Sequence, residues 1–380
     1  MGVIMPAHPI RCRDVTSAAL RARRDRARSA ARSLGVDAVL VTPGPDLRYL
    51  TGYDAIAMER LTCLVLPSDG EPTLVVPELE WPAALASPAA DLEVAAWTET
   101  EDPVAVCAGL VGDGAARVAV ADDMWAEKAL RFAAALPGVE QVAAGVLLDP
   151  LRARKDAAEV EALAEAAAAI DEVHAQLGDL LRVGRTERDV AADVERAILA
   201  TGHVRVDFVI VASGPNGASP HHLVSDRTLE RGDTVVVDIG GTMPTGYCSD
   251  STRTYALGRP RPQALAEYAV LQAAQQAAVE AVRPGVPAEQ VDRAARDPIV
   301  EAGYGDLFVH RTGHGIGVET HEHPYLVAGN DEPLAPGMVF SVEPGIYRPG
   351  SHGARIEDIV VVTDVGVRRL NHRPHDLVEL

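Results

Sequence analysis

Lysine is almost absent from this 380-residue chain: Lys128 and Lys155 are the only two, and the rest of its 35 basic residues are arginines. Against them stand 55 acidic residues, for a formal net charge of −20. A chain this acidic is a poor fit to nucleic acid or to an anionic membrane. The heavy use of arginine and alanine reads as GC-rich codon usage, not as a phosphate-binding device. Cysteine is scarce too. Cys12, Cys63, Cys107 and Cys248 show no paired spacing such as C-x-x-C. This argues against a disulfide scaffold and a cysteine-based zinc site, and fits a reducing cytoplasm. The segment from Met1 to Asp14 has no apolar core of signal-peptide length. The longest informative stretch without formal charge, residues 208–225, is broken by Gly214, Pro215, Gly217 and Pro220, so it does not read as a membrane helix. A soluble cytoplasmic protein is expected.

What is present is an ordinary globular composition, 47% apolar and 24% charged. The length predicts two domains, 1–150 and 151–380, with the boundary near Asp149-Pro150. In the first, an Arg- and Ala-rich helix over 14–34 stops at Gly35, a strand follows at 36–42, and Ser68-Asp69-Gly70-Glu71 joins a hairpin. Short apolar runs at 92–97, 117–121 and 140–143 alternate with helical segments at 102–111 and 123–135, an α/β pattern. The second domain opens on a long Ala/Glu helix at about 156–181.

That second domain carries a weak internal repeat. Gly184-Arg185-Thr186 then Val190 resembles Gly285-Val286-Pro287 then Val291, each a loop entering a helix, at 186–200 and 287–302. The run Gly232 to Asp238 resembles Gly337 to Glu343, each placing an acid six residues after a glycine at the end of a β-rich run. A second acid follows each on a returning strand: Asp250 after twelve residues, Glu357 after fourteen. Two similar halves facing each other are expected; the period is too long for a solenoid.

The four acids carry the chemistry. A carboxylate within a buried strand is costly unless something compensates it. Two divalent cations would balance Asp238, Asp250, Glu343 and Glu357 in formal charge. A nitrogen ligand is available in His314, within Thr312-Gly313-His314-Gly315-Ile316-Gly317, where glycines let the backbone pass close to a metal. Four carboxylates and one imidazole form an oxygen-rich set, suited to Mn²⁺ or Co²⁺.

At this point the sequence resembles a known family. VVVDIGG (235–241), YCSDSTRTY (247–255), HRTGHGIGVETHEHP (310–324), VEPGIY (342–347) and ARIED (354–358) look like the aminopeptidase P and prolidase group of pita-bread-fold metallopeptidases, which cleave Xaa-Pro bonds. DLRYLTGY (46–53) looks like the creatinase-type N-terminal domain. The resemblance implies an α/β creatinase-like N-terminal domain and an α+β pita-bread catalytic domain with an internal pseudo-two-fold repeat. It implies two divalent metal ions per chain, Mn²⁺ first with Co²⁺ or Zn²⁺ as alternatives. Their ligands would be Asp238, Asp250, His314, Glu343 and Glu357, with Asp250 and Glu357 bridging. A hydroxide shared by the ions would attack the scissile carbonyl, and Glu343 would take up and pass on its proton. His221 matches the pocket histidine by spacing, with His222 as a neighbour. His321 would stabilise the developing negative charge, and His310, Arg355 and Tyr347 would contact substrate. For Arg355 a salt bridge orienting a ligand is the competing reading, and for Tyr347 a place in the core. The implied partner is a short proline-containing peptide, and the implied assembly a homodimer.

Two departures from the family pattern stand out. The spacing from Asp238 to Asp250 is one residue longer than is common, placing the extra residue in the hairpin turn. Tyr325 occupies the position after HE-x-P where some prolidases carry an arginine for the dipeptide's free carboxylate. That weakens strict dipeptide specificity, whereas the short N-terminal domain favours a dipeptidase. Three other readings stay open: an aminopeptidase P-type enzyme on longer peptides, an ectoine-derivative hydrolase, and a catalytically silent binding protein.

Overall fold

The computed structural model describes residues 15–380; the expectation made for Met1 to Asp14 lies outside them. Two compact units divide the chain, one ending at Arg152 and the other beginning at Ala153. In the first, Thr16 caps the helix Ser17–Ser33 through its hydroxyl, which accepts from the Ala19 amide, and Gly35 takes the left-handed conformation after the helix end. Six strands form one mixed sheet in the order Glu93–Trp97, Thr73–Pro77, Cys63–Pro67, Ala38–Val41, Arg117–Val120, Glu140–Ala143. The DLRYLTGY segment becomes the buried helix Pro45–Thr51. Burial pushes the Asp46 carboxyl up to about 6, although Arg152 pairs with it at 2.9 Å. This motif is built into the core of its unit.

The second unit opens on the helix Ala157–Leu180, started by a capping box between Asp156 and Glu159, and a second box, Thr186 with Asp189, starts Glu187–Ala200. These helices cover a sheet of Arg205–Ser213, Thr234–Thr242 and Cys248–Ala256, with the short C-terminal strand Val378–Glu379 parallel to the last. The helices Pro262–Ala281 and Ala288–Glu301 cover another sheet, in which Gly313–Gly315, Glu322–Leu326, Val339–Val342, Asp358–Val362 and Val367–Arg369 pair. Each half packs its own apolar core, around Ile170, Val194, Val237 and Tyr255 in one and Leu271, Ile299, Phe340 and Ile356 in the other. A separate core in each half is what the internal repeat predicts.

Register places the acids. From Thr234↔Ala256 to Thr242↔Cys248 the hairpin pairs without a bulge. Asp238 faces Thr252, so Asp250, two residues along, projects from the same side of the sheet. The longer spacing is absorbed by the turn at 243–247. Asp238 sits inside its strand, further in than the end-of-run position read from Val235-Val236-Val237. In the other half Val342 pairs with Asp358, leaving Glu343 and Glu357 just outside the paired ends.

Candidate metal centre

Asp238, Asp250, His314 and Glu357 are buried, and Glu343 is partly so. Three sets of side-chain donor atoms lie within 4.8 Å of one another: Asp238 with Asp250 and Glu357, His314 with Glu343 and Glu357, and Asp250 with His314 and His321. The first two share Glu357 and span all five expected ligands. The third brings His321 into reach of a cation, which the sequence reading did not foresee.

Several features fit this donor set to divalent metal. Asp238 Oδ1 is buried with no hydrogen-bond donor among the described residues, a lone pair in want of a cation. His314 Nδ1 lies 3.1 Å from the Gly315 carbonyl, which can only accept, so Nδ1 carries the proton. Nε2 is thereby turned toward Glu343, 3.1 Å away, and Asp250, 3.7 Å away. Burial raises the Asp250 carboxyl far above the ordinary range, and the charges of Glu357, Asp238 and Glu343 add to that. Glu357 is raised likewise, by burial first and then by Glu343 and Asp238. Burial acts in the same direction on Glu343, but in the metal-free chain a His314 ring that also carries a proton on Nε2 donates to it, and that hydrogen bond and charge outweigh burial and hold the carboxyl at about 2. Four acids converge here on little positive charge.

Glycine makes the approach feasible. A Cβ on Gly313 would collide with the Ser341 carbonyl oxygen, and one on Gly315 with the His323 carbonyl oxygen. Only glycine at both sites lets the strand carrying His314 pass between its neighbours. Two hydroxyls hold the acids in orientation: Thr252 donates to Glu357 Oε2 at 2.8 Å and Ser341 to Glu343 Oε1 at 3.0 Å. Thr252 was legible in principle, since it shares a strand face with Asp250; Ser341 was not singled out.

The surrounding groups divide into bound and open ones. Arg355 is buried and fully engaged: its guanidinium donates to Asp238 Oδ2 at 2.5 Å, the Tyr347 hydroxyl at 2.7 Å, Thr252 Oγ1 at 3.1 Å and the Pro220 carbonyl at 3.3 Å. Tyr347 is also buried, and burial pushes its hydroxyl up to about 12. The hydroxyl lies 2.8 Å from His310 Nε2, while His310 Nδ1 donates to the Arg311 carbonyl at 2.7 Å. His221 and His321 are exposed. The His321 ring is 4.0 Å from that of His314, and desolvation, with His314 beside it, lowers its pKa to about 4. Glu322, next to it, is buried against Lys155 Nζ at 2.5 Å. The Arg311 guanidinium lies 4.2 Å over the Tyr325 ring. Its charge reaches His321, and no acid among the described residues pairs with it.

Known proteins share this architecture. Residues 161–364 match metallopeptidase family M24 and residues 23–154 the creatinase/prolidase N-terminal domain. The crystal structure of dipeptidase PepE from Mycobacterium ulcerans is similar with a TM-score of 0.92 and 54% identity, covering 96% of this chain and 98% of that one. A recombinant prolidase from Thermococcus sibiricus follows with a TM-score of 0.90 and 36% identity, over 95% of this chain and 99% of its own. The Xaa-Pro dipeptidase of Lactobacillus helveticus is 37% identical over 87% of this chain and 91% of its own length. No described helix is long and apolar enough to cross a membrane. With buried acids converging from both halves of a pita-bread unit that follows a creatinase-like domain in sequence, the chain belongs to metallopeptidase family M24.

Proposed function

We propose that this peptidase hydrolyses the bond before proline in Xaa-Pro dipeptides, using two divalent cations, Mn²⁺ first, held by Asp238, Asp250, His314, Glu343 and Glu357. The observation that carries the reading is the pair of donor sets joined through Glu357. The names of the Lactobacillus and Thermococcus relatives support the substrate class. Bound ions would neutralise the carboxylates, lower the pKa of a water and polarise the scissile carbonyl. Glu343, the least buried of the acids, takes the proton of the attacking water and passes it to the leaving nitrogen. His321, neutral at pH 7, donates a hydrogen bond to the oxygen on which charge develops. His221 lines the same pocket, within electrostatic reach of His310 and His321. Arg355, spent on Asp238 and Tyr347, orients a metal ligand in place of gripping substrate. Three buried, unbridged cysteines, Cys63, Cys107 and Cys248, support a cytoplasmic setting, and the family resemblance supports a homodimer.

The dipeptide preference rests on Arg311. Tyr325 stands where some relatives place the carboxylate-binding arginine, but its ring carries the Arg311 guanidinium at 4.2 Å. A planar cation stacked on an aromatic face is held in place with its edge free to bind a carboxylate. Manganese-loaded enzyme is expected to release proline from Ala-Pro and to act weakly on Ala-Pro-Ala. A charged hydrogen bond is worth about 1.5–3 kcal/mol. Arg311→Met is therefore expected to raise KM for Ala-Pro roughly 10- to 100-fold, with little effect on Ala-Pro-amide. Equal cleavage of both peptides would favour an aminopeptidase P-type enzyme, and absence of proline release would sink the proposal.

A further inference from the structure

The carboxylate of Glu187, outside the metal centre, is fully buried at 0% exposure; no lysine or arginine hydrogen-bonds to it directly among the described residues, and the charge of Arg227 reaches it through the Ser213 hydroxyl. Ser213 donates to its Oε1 through both amide and hydroxyl, at 2.8 and 2.7 Å. Asn216 Nδ2 bridges both oxygens at 3.0 and 3.1 Å. Ser225 donates to Oε2 through its hydroxyl at 2.6 Å and its amide at 3.2 Å, and His222 Nε2 does so at 2.8 Å. Burial raises this carboxyl, yet the hydrogen bonds of Ser225, Ser213 and His222 together hold it below its ordinary range. A carboxylate is accordingly buried without a direct ion pair, an expensive arrangement that the helix does not need, since Thr186 and Asp189 already cap it.

All these donors lie on one loop or on the end of the strand that enters it. Ser213 and Asn216 lie at its start, His222 and Ser225 at its end, and His221 lies between. On the opposite side Gly217 packs against the backbone of Gly353, and Pro220 accepts from Arg355 at 3.3 Å. The residue before His221 is thus tied to the arginine that holds Asp238, and the residue after it to Glu187. We infer that Glu187 is a positioning residue: its carboxylate draws the two stems of the loop together and fixes His221 over the metal centre. His222 serves as the link. The inference rests on the proposed role of His221 in the peptidase pocket.

Glutamine at 187 keeps the size but replaces one acceptor oxygen with an amide NH2 donor, which faces donors. Loss of an orienting partner costs about 10- to 100-fold in activity. Glu187→Gln is expected to lower kcat/KM for Ala-Pro by about tenfold with manganese content unchanged. In a His221→Ala background the same change is expected to add almost nothing, because its effect passes through His221. In the metal-free chain, hydrogen exchange is expected to quicken over 213–225 and not elsewhere. Multiplicative losses in the double variant, loss of metal, or unaltered exchange over 213–225 would overturn the inference. Should Glu187→Gln fail to fold, Ser225→Ala, which removes a single donor, enters the same cycle with the same outcomes. If the parent enzyme releases no proline, the proposed reaction fails, while the exchange measurement still tests the clamp on its own.

Discussion

Replacing Glu357 by glutamine is expected to remove activity and bound metal together. Glu357 belongs to both of the donor sets proposed to hold metal, so a weakened contact there would be felt by both ions. A neutral amide fills the same space but supplies a poor ligand to a hard cation. Transition-state stabilisation by metal amounts to several kcal/mol, so kcat/KM is expected to fall by roughly 10³ or more. Elemental analysis of the dialysed variant gives the second readout, with metal falling alongside the rate. The metal-free variant is expected to be more stable than the metal-free parent at pH 7, because an acid driven upward by burial and by Glu343 and Asp238 has been made neutral. A Glu357→Gln enzyme that kept both its metal and its rate would refute the ligand assignment.

Chelation carries the second large effect, and its pH dependence has a definite sign. Asp250 and Glu357 have folded-state values far above their ordinary 3.8 and 4.5. The metal-free folded chain holds protons there that the unfolded chain has released. That contribution is whole below about pH 4 and is lost as pH rises. Glu343, held at about 2, is ionised in both states above pH 5 and adds no slope there. Buried histidines such as His174, lowered to about 3 by desolvation, act in the opposite sense below about pH 6.5. Comparing the parent with Glu357→Gln cancels them. The stability advantage of the metal-free variant is expected to widen from pH 5 to pH 8. Saturating Mn²⁺ at about 100 times Kd would restore about 2.7 kcal/mol to the parent, or roughly 5–10 °C in Tm for a catalytic unit of this size, and activity with it. A parent whose Tm ignored both chelation and pH, matched by a variant that also ignored them, would contradict a compensated acid cluster.

The proposed ligands were legible because most of them break a local rule. Asp238 ends a valine run, Glu343 and Glu357 border apolar strands, and His314 sits among glycines that have no other use in a sheet. Such residues announce a cost that something must repay. Glu187 breaks no rule in the sequence, since an acid in the first turn of a helix is what the helix dipole favours. Only its donors reveal it, and they lie 26 to 38 residues away. Asp292 was hidden in the same manner: buried near the start of Ala288–Glu301, it accepts from the Thr312 amide at 3.1 Å and hydroxyl at 2.7 Å, bracing the segment that leads into His314. Arg355 was legible as a neighbour of the site, with a salt bridge to a ligand among its readings, but its pairing with Asp238 spans a 117-residue separation that spacing does not report. The helix Pro262–Ala281 escaped notice because alanines spread around it blur its apolar stripe.

The two lysines have the last consequence. Lys155 is shut in against Glu322, and Lys128 is equally buried, donating to the Met58 carbonyl beneath the Trp125 ring. No other lysine exists in the chain. The folded surface therefore presents no ε-amino group to acylating enzymes, amine-directed cross-linkers or lysine-specific proteases. A cut after Lys128 requires the first unit to open, and a cut after Lys155 requires the second. Two cleavage sites, one in each unit, thus act as built-in reporters of which half of the molecule has come undone.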